Sequence, residues 1–239
     1  MLVVLWCVPR SVSTAFEKMI WSTRSFRVVS EPCIDMYKSS KSSSNKEAAA
    51  KRSAESLFNE LAEAAKSEDI FVKEMAYHAE PLLSDMALQR MKHVFLTRAP
   101  RLSIPSLCKM RPTFSEDQPG FFGQLKLLRR VMALSDDRPL VIDATSLTLH
   151  PKMEVQNFYD TIGRKMPIGV LSWEPGEMTE WTGREEWHTE AGQSRSFQPS
   201  KKEHTLDQFP KQVVDQIETN TLVYEEILAC GRGSEYWNK

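Results

Sequence analysis

Several things are scarce or missing in this chain, and each absence excludes a class of protein. Glycine is sparse, at 9 of 239 residues, and the phosphate-loop pattern GxxxxGK[ST] does not occur. That removes the usual lysine-bearing nucleotide loop. Cysteine is limited to Cys7, Cys33, Cys108 and Cys230, scattered, with no CxxC pair and no histidine at metal spacing. Neither a disulfide framework nor a zinc site is expected, and a reducing, cytoplasmic setting fits. Formal net charge is −1, so nothing global points to nucleic acid or an anionic membrane. No apolar run approaches the ~20 residues of a membrane span. The opening MLVVLWCVPR has no basic leader and reads as a buried strand rather than a signal peptide.

What is present suits a folded core. The chain is 41% hydrophobic over 239 residues, enough for one α/β domain spanning residues 1–239. Apolar runs with β-forming residues predict strands at Leu2–Val8, Phe26–Val29, Ile70–Val72, His93–Thr97 and Leu140–Ile142. Helical spacing predicts helices over Ser13–Ser22, Glu47–Lys66, Pro81–Arg90, Phe121–Met132, Val155–Ile162 and Asp207–Ala229. The Ser- and Lys-rich stretch Lys38–Lys46 reads as a surface loop. Trp173–Phe197 holds three of the six tryptophans with weak periodicity, and is expected to be a covering segment or lid. Strands alternating with helices imply a mainly parallel sheet with helices on both faces.

In such a sheet ligands bind at the carboxyl ends of the strands. After the first strand comes Pro9-Arg10-Ser11-Val12-Ser13-Thr14 and then a helix. This loop offers backbone N–H groups, three hydroxyls, one guanidinium and the positive end of a helix, a set that suits a phosphate. A plain strand–helix connection capped by Ser13 or Thr14 accounts for the segment equally well.

The segment PRSVSTAF resembles the 5′-phosphosulfate loop of sulfotransferases, P-[KR]-S-G-[ST]-[ST]. Arg10 matches the Lys/Arg position, and Ser11, Ser13 and Thr14 match the hydroxyls. Val12 stands where that family usually has glycine. A valine should hold φ below zero, so the loop is expected to curve differently. The aromatic that often follows the hydroxyls is displaced, with Ala15 in its place and Phe16 next. A second resemblance lies at the fourth strand: Arg98, Pro100, and Ser106 eight positions after the arginine. In the family this Arg–Ser pair binds the 3′-phosphate of the nucleotide. Arginine suits phosphate through paired N–H donors, and the serine is expected near a helix start. Leu140–Leu147 with His150-Pro151 is similar to the stretch that follows. Trp173-Glu174-Pro175-Gly176 and Trp187-His188 resemble a compact, soluble, microbial-type branch. Gly231-Arg232-Gly233 with Trp237 is only faintly similar to the family's late RKG…W pattern.

The resemblance implies a P-loop-like α/β sulfotransferase fold and a sulfuryl donor, 3′-phosphoadenosine 5′-phosphosulfate. It implies no metal and an in-line displacement onto a hydroxyl or amine of a small molecule. Arg10, Ser11, Val12, Ser13, Thr14, Arg98 and Ser106 would hold the nucleotide. Arg10 would also steady charge on the leaving oxygen. Two residues compete as base. Glu31, in Ser-Glu-Pro, resembles a Glu-Pro base of some bacterial members and is placed slightly ahead. His78 follows Lys73, much as the cytosolic branch carries a Lys and a His there, and its unperturbed pKa of about 6.5 suits the task. Turn and surface roles are the plain alternatives for these two. Met36, Tyr37, Met75, Tyr77 and Phe114 could line an acceptor pocket or belong to the core. His188 and Arg195 could touch ligand, although tryptophan packing explains their segment more simply. A homodimer is admitted; no nucleic-acid or membrane partner is expected. Asp143 leaves room for a magnesium-dependent small-molecule kinase, and Val12 for a nucleotide binder without turnover.

Overall fold

A computed structural model describes residues 1–183, 187–199 and 205–231. Five strands form one sheet: β1 (Leu2–Cys7), β2 (Arg27–Ser30), β3 (Ile70–Met75), β4 (Lys92–Thr97) and β5 (Leu140–Asp143). They are all parallel, in the order β2-β3-β1-β4-β5. β1 is buried along its whole length because helices cover both faces of the sheet. Its side chains alternate between two cores. Leu2, Val4 and Trp6 pack with Ala54, Phe58, Leu128 and Ile227 on one face. Val3, Leu5 and Cys7 pack with Phe16, Ile20 and Phe158 on the other.

The helices supplying those faces are α1 (Ser13–Ser22), α2 (Ile34–Ser40), α3 (Ser44–Ala64), α4 (Ala76–Ala79), α5 (Asp85–Leu88), α6 (Pro100–Met110), α7 (Phe121–Ala133), α8 (Ala144–Leu149), α9 (Pro151–Ile162), α10 (Thr189–Gln193) and α11 (Lys211–Cys230). The N-terminal helix lies where helical spacing put it. Other regions differ from expectation. Lys38–Lys46 is not one loop: α2 runs to Ser40, and α3 starts at Ser44 with Ser43 as its cap. Pro81–Arg90 is not one helix, since α5 is a single turn capped by Ser84 and α4 precedes it. Strand β3 does not stop at Val72 but runs through Lys73 and Glu74, both fully buried, because each charge has partners.

Sheet order sets the position of the cleft. β1 is central, with β3 and β4 as its neighbours, so the chain leaves β1 toward one edge and returns across it to β4. This reversal opens a crevice at the carboxyl ends. The segments after β1, β2, β3, β4 and β5 all meet there.

Candidate functional site

The loop after β1 has an unusual backbone. Arg10 has φ 61° and Val12 has φ 68°. The expectation that Val12 would hold φ below zero is therefore wrong. The loop keeps a glycine-like curve, and a β-branched residue bears the strain, which such residues adopt only when the surroundings impose it. Capping by Ser13 or Thr14 is also overturned. Val12 is itself the N-cap of α1, and no side chain caps the helix. The Ala15 N–H donates to the Val12 carbonyl at 3.1 Å, and the N–H groups of Ser13 and Thr14 keep their capacity for a ligand. Ser11 is fully buried and donates to the carbonyl of Val8 at 2.7 Å, so it shapes the loop. Ser13 and Thr14 line the cleft, and Thr14 Oγ1 lies 3.3 Å from His188 Nδ1.

Arg98 and Ser106 close on this loop from the next strand. Arg98 Nη1 donates to the carbonyl of Arg10 at 2.8 Å, and Arg10 Nε donates to Ser106 Oγ at 2.9 Å. Ser106 is not at a helix start but in the second turn of α6, which begins at Pro100 and contains Pro105. The helix carries its hydroxyl back to the loop. Burial lowers the pKa of Arg98, and the nearby Arg10 charge lowers it further. Burial also lowers Arg10, partly offset by Glu190, whose carboxylate is 3.9 Å away and largely exposed. Two partly buried guanidinium groups turned to one loop suit an anion.

Across the cleft the charged residues of β3 find their partners. Lys73 Nζ donates to Glu31 Oε1 at 2.5 Å and lies 3.6 Å from Glu17 Oε2, with both Lys73 and Glu17 fully buried. Burial alone would lift the Glu31 carboxyl. The Lys73 charge and hydrogen bond outweigh it, with smaller help from His78 and His188, and bring it down to about 2. The carboxylate of this base candidate is pinned to a lysine. Glu31 also has φ 44°, and its N–H donates to the Lys73 carbonyl at 2.7 Å. Burial pushes Glu17 up, opposed by Lys73 and by Trp181, whose Nε1 donates to Glu17 Oε2 at 2.9 Å.

His78 is not a surface residue. It is buried in α4, lines the cleft, and sets Nδ1 3.1 Å from Glu74 Oε1. Tyr37 and Tyr77 flank its ring at 5.0 and 4.2 Å. Gly123 in α7 permits this arrangement: a Cβ there would come within 2.7 Å of the Tyr77 backbone. Tyr37, Met75 and Tyr77 line the cleft, whereas Met36 and Phe114 pack against the core.

The tryptophan-rich segment lies over the loop end of the cleft. Trp173 and Trp181 are buried. Lys18 of α1 donates to the carbonyls of Gly176, Ala191 and Gly192 at 2.8, 3.1 and 2.6 Å. His188 stacks on Trp181 at 4.8 Å and lines the cleft, while Arg195 pairs with Glu174 at the surface. Residues 184–186 of this segment lie outside the described residues, as do Arg232, Gly233 and Trp237 of the late pattern.

Asp143 is a cap. Oδ1 accepts from the N–H groups of Thr145 and Ser146 at 2.7 and 3.2 Å, and Oδ2 accepts from Tyr224 at 2.9 Å. No group of three His, Cys, Asp or Glu side chains suited to a metal ion occurs among the described residues. No helix among them is long and apolar enough to cross a membrane. The cleft these elements enclose measures about 1290 Å³, roomy enough for a nucleotide and a second molecule together.

Sequence reasoning missed Glu17, Lys18 and Glu74 as contributors, and named Lys73 only as the lysine before His78. A run such as Ile-Phe-Val-Lys-Glu-Met gives one usable signal, two opposite charges in an otherwise apolar buried strand.

Comparison with known proteins agrees with this architecture. The solved sulfotransferase domain from the curacin biosynthetic pathway superposes with a TM-score of 0.54 at 15% identity, covering 94% of this chain and 97% of that one. The sulfotransferase domain from the Synechococcus PCC 7002 olefin synthase gives 0.53 at 16% identity, covering 91% and 93%. Sulfotransferase STF9 from Mycobacterium avium gives 0.50 at 12% identity, covering 97% and 78%. At these identities the likeness is one of fold. No curated protein matches the chain. The family model described as "Sulfotransferase domain" matches residues 1–218, nearly the whole length, and the chain belongs to that family.

Proposed function

We propose that the protein transfers a sulfuryl group from 3′-phosphoadenosine 5′-phosphosulfate to a hydroxyl or amine of a small molecule, in the cytoplasm. The observation carrying this reading is the convergence of Arg10, Arg98 and Ser106 on one loop. The two guanidinium groups and the uncapped start of α1 suit a ligand with two separated anionic groups. The 5′-phosphosulfate would lie against Arg10, Ser13, Thr14 and the first-turn N–H groups. The 3′-phosphate would meet Arg98 and Ser106. Ser11 and Val12 shape this loop.

When bound, the nucleotide supplies an activated sulfuryl group with a phosphate leaving group. The acceptor would enter from the side of Tyr37, Tyr77 and His78. Its oxygen bonds to sulfur as the bond from sulfur to the phosphate oxygen breaks. The electron pair leaves with the nucleotide, where Arg10 offsets the developing charge. The acceptor's proton must go to a base. Glu31, held low by Lys73, is a poor one, and His78 suits the role better. Glu31 then acts with Lys73 as a fixed charge pair beside the cleft.

Calorimetric titration with adenosine 3′,5′-bisphosphate in the presence of a chelator tests this reading. Micromolar binding, about −8 kcal/mol, is expected. No binding, with ATP and magnesium binding instead, would favour a phosphoryl-transfer enzyme.

A further inference from the structure

Glu74 is an acid buried within an apolar strand, and nucleotide binding gives it no task. Its relative exposure is 0%, and it is not part of the Lys73 ion pairs. Glu74 Oε2 accepts from the Cys33 N–H at 2.6 Å, and Oε1 accepts from its neighbour's N–H, that of Met75, at 2.8 Å. These two backbone donors fix the plane of the carboxylate. Oε1 then stands 3.1 Å from Nδ1 of His78, one helical turn further along the chain. A carboxylate can only accept, so Nδ1 must carry the hydrogen. The lone pair is thereby assigned to Nε2, and among the described residues Nε2 has no hydrogen-bond partner. His78 lines the cleft, where an acceptor group would lie.

We infer that Glu74 is a positioning residue which fixes His78 as the Nδ1–H tautomer, leaving Nε2 as the atom that takes the acceptor's proton. The inference rests on the sulfotransferase reading for its purpose, but its geometry stands alone. Tilted ring contacts with Tyr77 and Tyr37 pack against the imidazole, and the Glu74 contact fixes the ring's rotation about its bond to Cβ. In the step itself the acceptor O–H bond breaks as the O–S bond forms. The proton passes to Nε2, and the imidazolium is stabilised by the Glu74 carboxylate until it releases the proton to solvent. Without Glu74 the ring is free to carry its hydrogen on Nε2, which cannot accept a proton.

Long-range ¹H–¹⁵N correlation spectra of protein labelled at histidine test this directly. They are recorded at alkaline pH with adenosine 3′,5′-bisphosphate added, and the His78 signals are assigned with His78→Gln. The wild-type protein should show His78 as essentially one tautomer, Nδ1–H. Glu74→Met, which roughly keeps the shape but removes both acceptor oxygens, should convert it to a mixture or to Nε2–H while nucleotide affinity stays within about twofold. An Nε2–H signal in the wild type, or an unchanged tautomer in Glu74→Met, overturns the inference. Should Glu74→Met fail to fold, the wild-type spectrum still decides. Failure of the wild type to bind the bisphosphate would count against the sulfotransferase reading and leave the tautomer result intact.

Discussion

Val12 carries the clearest conflict between local preference and the required backbone. Holding a β-branched residue at φ 68° costs on the order of 1–2 kcal/mol. Glycine would remove that cost but would lose about 0.5–1 kcal/mol through chain entropy, along with some packing. Val12→Gly should therefore change stability by no more than about 1 kcal/mol in urea unfolding, far less than truncating an unstrained buried valine. A loss of several kcal/mol would mean that the strain is not there. The same residue shows a limit of reading sequence. The motif around Val12 was recognisable, but its departure from glycine suggested a change of curve. Neighbouring contacts, including the Arg98 hydrogen bond to the Arg10 carbonyl, impose the original one. Glu74 was illegible for another reason: its partners at Cys33 and His78 come from different elements, and only the fold reveals that the carboxylate is shared.

At the scale of elements, the five strands were legible because a buried parallel strand is an apolar run, and little else produces one. Helices α6 and α8 were not. The first contains an internal proline at Pro105, and the second is six residues long and starts from the Asp143 cap. β3 was cut short because Lys73 and Glu74 look like a strand end. Lys73 in fact ties α1, the turn after β2 and β3 together through Glu17 and Glu31. Lys73→Met leaves two carboxylates without their cation and should cost about 3–5 kcal/mol in denaturant unfolding. The pH dependence has a definite sign. The folded Glu31 carboxyl sits at about 2 against 4.5 unpaired, so its contribution is present above pH 4.5 and lost as pH falls toward 2. In Lys73→Met the carboxyl is no longer held down, and stability should fall less steeply across that window. Equal slopes for the two proteins would contradict the ion-pair account.

The whole molecule brings two phosphate-suited constellations, almost a hundred residues apart in sequence, to the carboxyl edge of one sheet. The cover anchored by Glu17 and Lys18 is held from α1, the helix whose N-terminus would meet the ligand, so the phosphate loop and the cover share one support. Arg98 is proposed to read a 3′-phosphate. The most direct test compares binding of adenosine 3′,5′-bisphosphate with that of adenosine 5′-monophosphate, in the wild type and in Arg98→Ala. A hydrogen-bonded charge contact contributes about 1.5–3 kcal/mol, so the wild type should prefer the bisphosphate by about tenfold or more. In Arg98→Ala that preference should shrink toward unity. A wild type that binds the two nucleotides equally, or a preference that survives the substitution, would contradict the account.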